Sequence, residues 1–230
     1  MERHFDHELS ELKQRLLTMA SHAETAVNRA LEALTTRNYD LALQVKAEDE
    51  VIDREEVEID HLAITLLAKA PLATDLRLVT VAMRISQNLE RVGDEAAKIA
   101  KRARDLSQEP PVKISVDLPR MASLALAMLA GALDAFVNRD SATARALIPQ
   151  DKEVDALNKQ INRELTQYMM SDGDSIPRCL NLMIATRSLE RIADHATNIA
   201  EEVVYLCEAQ DIRHPGKGQN ESAAHNAASP

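Results

Sequence analysis

Four pairs of acidic residues share one spacing: Asp49/Asp53, Glu90/Asp94, Asp151/Asp155 and Glu190/Asp194. In a helix, residues four apart lie on one face, so each pair presents two carboxylates to one point. All-oxygen sites of this kind suit Mg²⁺, Ca²⁺, Mn²⁺ or iron. With 37 Asp+Glu in 230 residues, about six acidic i,i+4 pairs arise by chance, and a lone pair carries no information. Here the pairs recur at matched places.

A solvated acidic face is the simpler reading of the spacing alone. His195 stands beside Asp194, but its counterpart is Glu95, and a lone histidine reads as structural. The other histidines show no metal spacing, and no Glu-x-x-His pair of the di-iron bundles occurs. A P-loop, a nucleophile elbow and a kinase signature are equally absent.

The elements that must carry these acids are helical. Five glycines and five aromatics leave too little turn and pleat-filling material for a β fold, and too few glycines for the βα loops of an α/β fold. Prolines at 71, 110, 111, 119 and 177 punctuate the chain. Six long helices are expected near 5–36, 39–69, 72–107, 118–137, 139–171 and 176–209, with Asn38 and Asn138 as caps. Thirty residues make a helix of about 45 Å, and short connections force antiparallel neighbours. The third helix carries an apolar seam from Leu78 through Ile85, Leu89, Val92 and Ile99 to Leu106. The sixth repeats it from Leu182 through Leu189, Ile192 and Ile199 to Leu206.

The repeat extends to identity. Residues 89–100 read LERVGDEAAKIA and residues 189–200 read LERIADHATNIA, with seven of 12 positions identical, where unrelated helices would share about one. The offset is 100 there, and 102 between Asp49/Asp53 and Asp151/Asp155. We place the two extra residues between Asp140 and Asp151, near Pro149, and expect a kink there that the second helix lacks. The fold class is therefore all-α: two tandem, pseudo-symmetric three-helix bundles, over residues 1–108 and 115–209. A disordered tail is expected at 210–230.

Helical periodicity also orients the pairs. Glu90 and Asp94 lie about 140° and 180° from the third helix's seam, so they should face away from the bundle axis. On the second helix, Asp49, Asp53, Glu56 and Asp60 form a stripe beside the Val45/Ile52/Ile59/Leu66 seam. If that stripe lies beside Glu90/Asp94, four or more oxygens converge.

Charge narrows the partners. With 27 Lys+Arg against 37 Asp+Glu the formal charge is −10, which repels nucleic acid at long range. The basic cluster Lys98, Lys101, Arg102 and Arg104 falls late in a helix, where cations suit the dipole. The charged start has no apolar h-region, and the longest uncharged run, Met121 to Leu133, is too short for a bilayer span and reads as a core helix. Cys179 and Cys207 have no disulfide or CxxC pattern. A soluble, cytoplasmic protein is expected, without membrane insertion.

At LERVGDEAAKIA and LERIADHATNIAEEV the chain resembles the PhoU family of bacterial phosphate-transport accessory and regulatory proteins. The likeness takes in FDHELSELKQRLLTMA, ATDLRLVTVAMRISQNLER and NIAEEVVYL, over about residues 3 to 209. It implies two three-helix bundles whose E/D-x-x-x-D motifs bind surface clusters of iron or other divalent metal ions, and no organic cofactor. By position these are Glu90/Asp94 and Glu190/Asp194, with Asp49/Asp53 and Asp151/Asp155 alongside. The glycine between the motif acids is Gly93 in one half and Ala193 in the other. Asn158 and Asn162 replace Glu56 and Asp60, which predicts weaker metal binding in the second half.

The resemblance further implies a non-catalytic, dimeric negative regulator of phosphate uptake and of the phosphate-starvation response. Its implied partners are the ATPase subunit of the phosphate ABC transporter and the sensor histidine kinase of the two-component system. A carboxylate-bridged metal phosphatase or oxidase, and a metal-free helical scaffold, are the alternatives.

Overall fold

The computed structural model describes residues 2–69 and 72–213. Long helices dominate: α1 (Glu2–Thr36), α2 (Tyr39–Leu67), α3 (Ala73–Ser107), α4 (Leu118–Asn138), α5 (Ser141–Leu147), α6 (Asp151–Ser171) and α7 (Ile176–Glu208). A bundle of α1, α2 and α3 is followed by a second, in which α4 and α7 pack with each other and with α5 and α6. The two bundles meet mainly along α3 and α7. Both seams are sequestered; of the seam residues, Leu182 alone is only half-buried.

The turn into the middle helix is built the same way twice. Arg37 and Arg139 both adopt left-handed backbone, with φ of 57° and 52°, reversing the chain after α1 and α4. The next residues, Asn38 and Asp140, accept N-cap hydrogen bonds, from Leu41 N at 3.0 Å and from Ala142 N and Thr143 N at 3.0 Å. Their own N–H groups donate to Ala33 O and Ala135 O, at 3.0 and 2.9 Å. Asp140 is thus the second cap; Asn138 closes α4 and donates its side-chain N–H to Asp134 O at 3.0 Å.

This correspondence corrects the expected register. Residues 33, 37 and 38 already pair with 135, 139 and 140, an offset of 102, so no residues are inserted between Asp140 and Asp151. The break near Pro149 is nevertheless present, because proline lacks the N–H and clashes with the preceding turn. Helix α5 stops at Leu147, a 3₁₀ turn spans Ile148–Gln150, and α6 starts at Asp151.

Helix α4 is long and apolar enough to cross a membrane by length and composition, yet half of its most apolar stretch is buried in the bundle. Met121, Met128 and Leu129 are wholly buried there. Most of the expected disordered tail, residues 214–230, lies outside the described residues, as do Ala70 and Pro71. Residues 210–213 are in place, with Arg213 Nη1 2.9 Å from Glu202 Oε1.

Candidate metal centre

The four acidic pairs fall on the facing helices α2/α3 and α6/α7. In the first bundle Gly93 lets α2 come close: a Cβ on it would stand 2.9 Å from Ile52 Cδ1 and 3.2 Å from Asp49 Oδ1. The Asp49 carboxylate therefore lies against the α3 backbone, between Glu90 and Asp94 in height. Asp53, Glu56 and Asp60 continue the stripe at three- and four-residue steps.

These acids are less outward-facing than the seam angle suggested. The Glu90 side chain keeps 17% of its exposure and Asp94 38%. Helix α3 packs against α1, α2 and α7 together, so little of its circumference is free. Val79, Ser86, Gly93, Glu95 and Ala100, all off the seam, are buried as well. Asp49 and Asp94 line one surface depression, and Glu56 and Glu90 another.

Their electrostatics report crowding. Burial pushes Asp49 up to about 6, with the charges of Asp53 and Asp94 adding to it and Lys98 opposing. Glu90 is raised by burial, against the pull of Arg91, and further by Asp94, Glu56 and Asp53. The second bundle repeats the arrangement. Asp194 rises to about 6, first through lost hydration and then through Asp151, Glu190 and Asp155. Burial raises Glu190 and Asp151 too, with Asp155 adding to both. Each set of four carboxylates therefore shares one local field.

Three buried carboxylate oxygens of the described residues have no donor. Asp49 Oδ1 and its equivalent Asp151 Oδ1 are buried without a hydrogen-bond partner, as is Asp60 Oδ1. An unsatisfied charged oxygen of this kind costs about 1–3 kcal/mol or more, which a proton or a cation relieves. The donor set thus fits a hard cation. Among the described residues no group of three or more His, Cys, Asp or Glu side chains is placed so that it could hold a metal ion. Within each bundle the oxygens stand close enough to raise one another's pKa without forming a shell.

His195 has a structural partner, as expected. Its Nδ1 lies 3.0 Å from Asn88 Oδ1 across the α3–α7 contact, and burial and Arg191 lower its pKa. Sequence reasoning missed the polar seam it belongs to. Glu95, 2% exposed, takes Lys98 Nζ and Arg191 Nη1 at 3.0 Å each. Glu202, also buried, takes Arg84 Nη1 at 3.1 Å as well as Arg213. The only available signal was an acid within an otherwise apolar or small-residue face of α3 and α7.

Known proteins show the same construction. The family model described as the PhoU domain matches residues 16–103 and again 118–203, one copy on each bundle. The phosphate-specific transport system accessory protein PhoU homolog of Pseudomonas aeruginosa is 42% identical over 214 residues, covering 92% of this chain and 88% of that protein. The Escherichia coli accessory protein PhoU is 35% identical over 213 residues, with the same coverage of 92% and 88%. The crystal structure of PhoU from P. aeruginosa superposes with a TM-score of 0.87 at 41% identity, over 90% of this chain and all of that one. That of the phosphate transport system regulatory protein PhoU from Streptococcus pneumoniae gives 0.84 at 31%, over 91% of this chain and all of that one. Two bundles, two matches to one domain model and this level of identity along nearly the whole chain place the protein in the PhoU family.

Proposed function

We propose that this chain is a non-catalytic regulator of phosphate uptake and of the phosphate-starvation response, working as a metal-binding adaptor. Its relatives' role as accessory proteins of the phosphate-specific transport system supports the first half of this reading. The observation that carries the second is the repeated acidic cluster, in which Asp49 Oδ1 and Asp151 Oδ1 are buried without donors among mutually repelling acids. Asp49, Asp53, Glu90 and Asp94 hold divalent or iron-type ions in the first bundle, and Asp151, Asp155, Glu190 and Asp194 in the second. A bound cation supplies charge neutralisation there and ties the paired helices together. The second site is the weaker, because Asn158 and Asn162 replace Glu56 and Asp60.

The partners are the ATPase subunit of the phosphate ABC transporter and the sensor histidine kinase, met in the cytoplasm by a homodimer. Broad helical faces serve such docking. A pull-down from phosphate-replete cells, with metal analysis of the same sample, tests the reading. Both partners and bound metal are expected with the wild type, and less metal with Asp49→Ala/Asp94→Ala. Capture of neither partner, or unchanged metal content in that variant, contradicts it.

A further inference from the structure

Asp49 and Asp94 also line an open cavity of about 410 Å³ between α2 and α3, within the size range of small-molecule sites. Lys46 comes from α2, and Lys98, Lys101 and Arg104 come from α3. The last three repeat at three-residue steps, one helical face. Ala42, Ala97, Ala100 and the exposed Leu43 form an apolar floor.

Helix-dipole complementation does not account for these cations. The dipole acts within the last turn, and of the lysines and arginines of α3 only Arg104 lies there. Helix α7, of similar length, carries no basic residue in its last turn. Arg102, next in sequence, turns away and donates to Asn181 Oδ1 at 2.9 Å. The duplication makes the point sharper. The counterparts of Lys98, Lys101 and Arg104 are Asn198, Glu201 and Val204, and that of Lys46 is Ile148. One bundle has this basic wall and the other has none, although both keep the acids.

We propose that the α2–α3 cavity is a binding site for a multiply charged phosphate compound, one with two or more linked phosphoryl groups. Lysine acts as a point-charge binder of phosphate; Lys98 is shared with Glu95 at 3.0 Å and Arg104 with Asp105 at 3.2 Å, which leaves Lys46 and Lys101 as the wall's uncommitted cations among the described residues, one for each of two linked phosphoryl groups. Asp49 and Asp94 in the cavity's lining oppose such an anion unless a cation neutralises them. The site therefore couples the two ligands: a divalent ion in the acidic cluster strengthens the anion, and the anion strengthens the ion by the same factor. The coupling, though not the basic wall, rests on the metal reading above.

The test is calorimetric titration of the full chain with pyrophosphate, ATP and inorganic phosphate, each with and without Mg²⁺. Pyrophosphate or ATP should bind, inorganic phosphate at least tenfold more weakly, and Mg²⁺ should tighten the first two. ATP exceeding pyrophosphate assigns the alanine floor to a base; equal binding assigns the site to the phosphoryl groups alone. Lys46→Gln/Lys101→Gln, both exposed positions, should weaken binding at least tenfold with the melting temperature unchanged. Asp49→Asn/Asp94→Asn should abolish the Mg²⁺ effect while anion binding without Mg²⁺ persists. Absence of binding by all three anions, or binding unaltered in the lysine variant, overturns the proposal even if metal still binds. Anion binding that ignores Mg²⁺ overturns the coupling.

Discussion

At the residue scale each acidic cluster holds one carboxyl that is expensive to ionise. Asp49 and Asp194 are held near pH 6 against a usual 3.8, by burial first and by neighbouring acids second. A raised acid favours the folded state when protonated, so this contribution is complete below about pH 4 and disappears as pH rises through about 6. Chelator-treated Asp49→Asn/Asp194→Asn should therefore melt higher than chelator-treated wild type above pH 6, and the gap should close by pH 4. An unchanged difference across that range contradicts the shifts. Metal needs the ionised carboxylates, so stabilisation by added Mn²⁺ should grow between pH 5 and 7. Gly93 is the other deciding residue. In Gly93→Ala the new methyl meets Ile52 and Asp49, and we expect a loss of about 1 kcal/mol from overpacking. The cost is at the low end because Ile52 Cδ1 is the tip of a side chain. Urea unfolding measures it, and the same experiment should show metal affinity reduced.

At the element scale, what was legible was whatever depends on one helix's own periodicity. The seams of α3 and α7 follow from steps of three and four, and the break near Pro149 follows from proline chemistry. What depends on a neighbour was not legible. The far face of α3 looked solvent-bound because a seam angle knows one partner, whereas α3 has three. The burial of Glu95 and Glu202 went unseen for the same reason, and the basic residues of α3 read as a helix-end feature until Lys46 of α2 joined them. Asn138 looked like the second cap because the motif offset of 100 was carried into a region where the offset is 102. The α3–α7 contact rests partly on Glu95, which Lys98 and Arg191 neutralise. Breaking a fully buried pair costs 3–5 kcal/mol, but both cations stay half-exposed, so Glu95→Ala should cost about 1–2 kcal/mol. A thermal or urea melt decides; no loss would mean that the pair is replaced by solvent without penalty.

At the scale of the whole molecule, duplication has produced two similar bundles with unequal charges. Both keep the D/E-x-x-x-D pairs, but Glu56 and Asp60 enrich the first cluster while Asn158 and Asn162 dilute the second. The molecule should therefore bind metal in two classes, filling the α2–α3 cluster first, and occupancy at 100 times Kd should stabilise the fold by about 2.7 kcal/mol. The most direct test titrates Mn²⁺ into chelator-treated wild type, Asp49→Ala/Asp94→Ala and Asp151→Ala/Asp194→Ala by calorimetry. The account expects a tighter and a weaker class in the wild type, loss of the tighter class in the first variant and of the weaker in the second. Wild-type stoichiometry and affinity surviving in both variants would show that these carboxylates hold no metal.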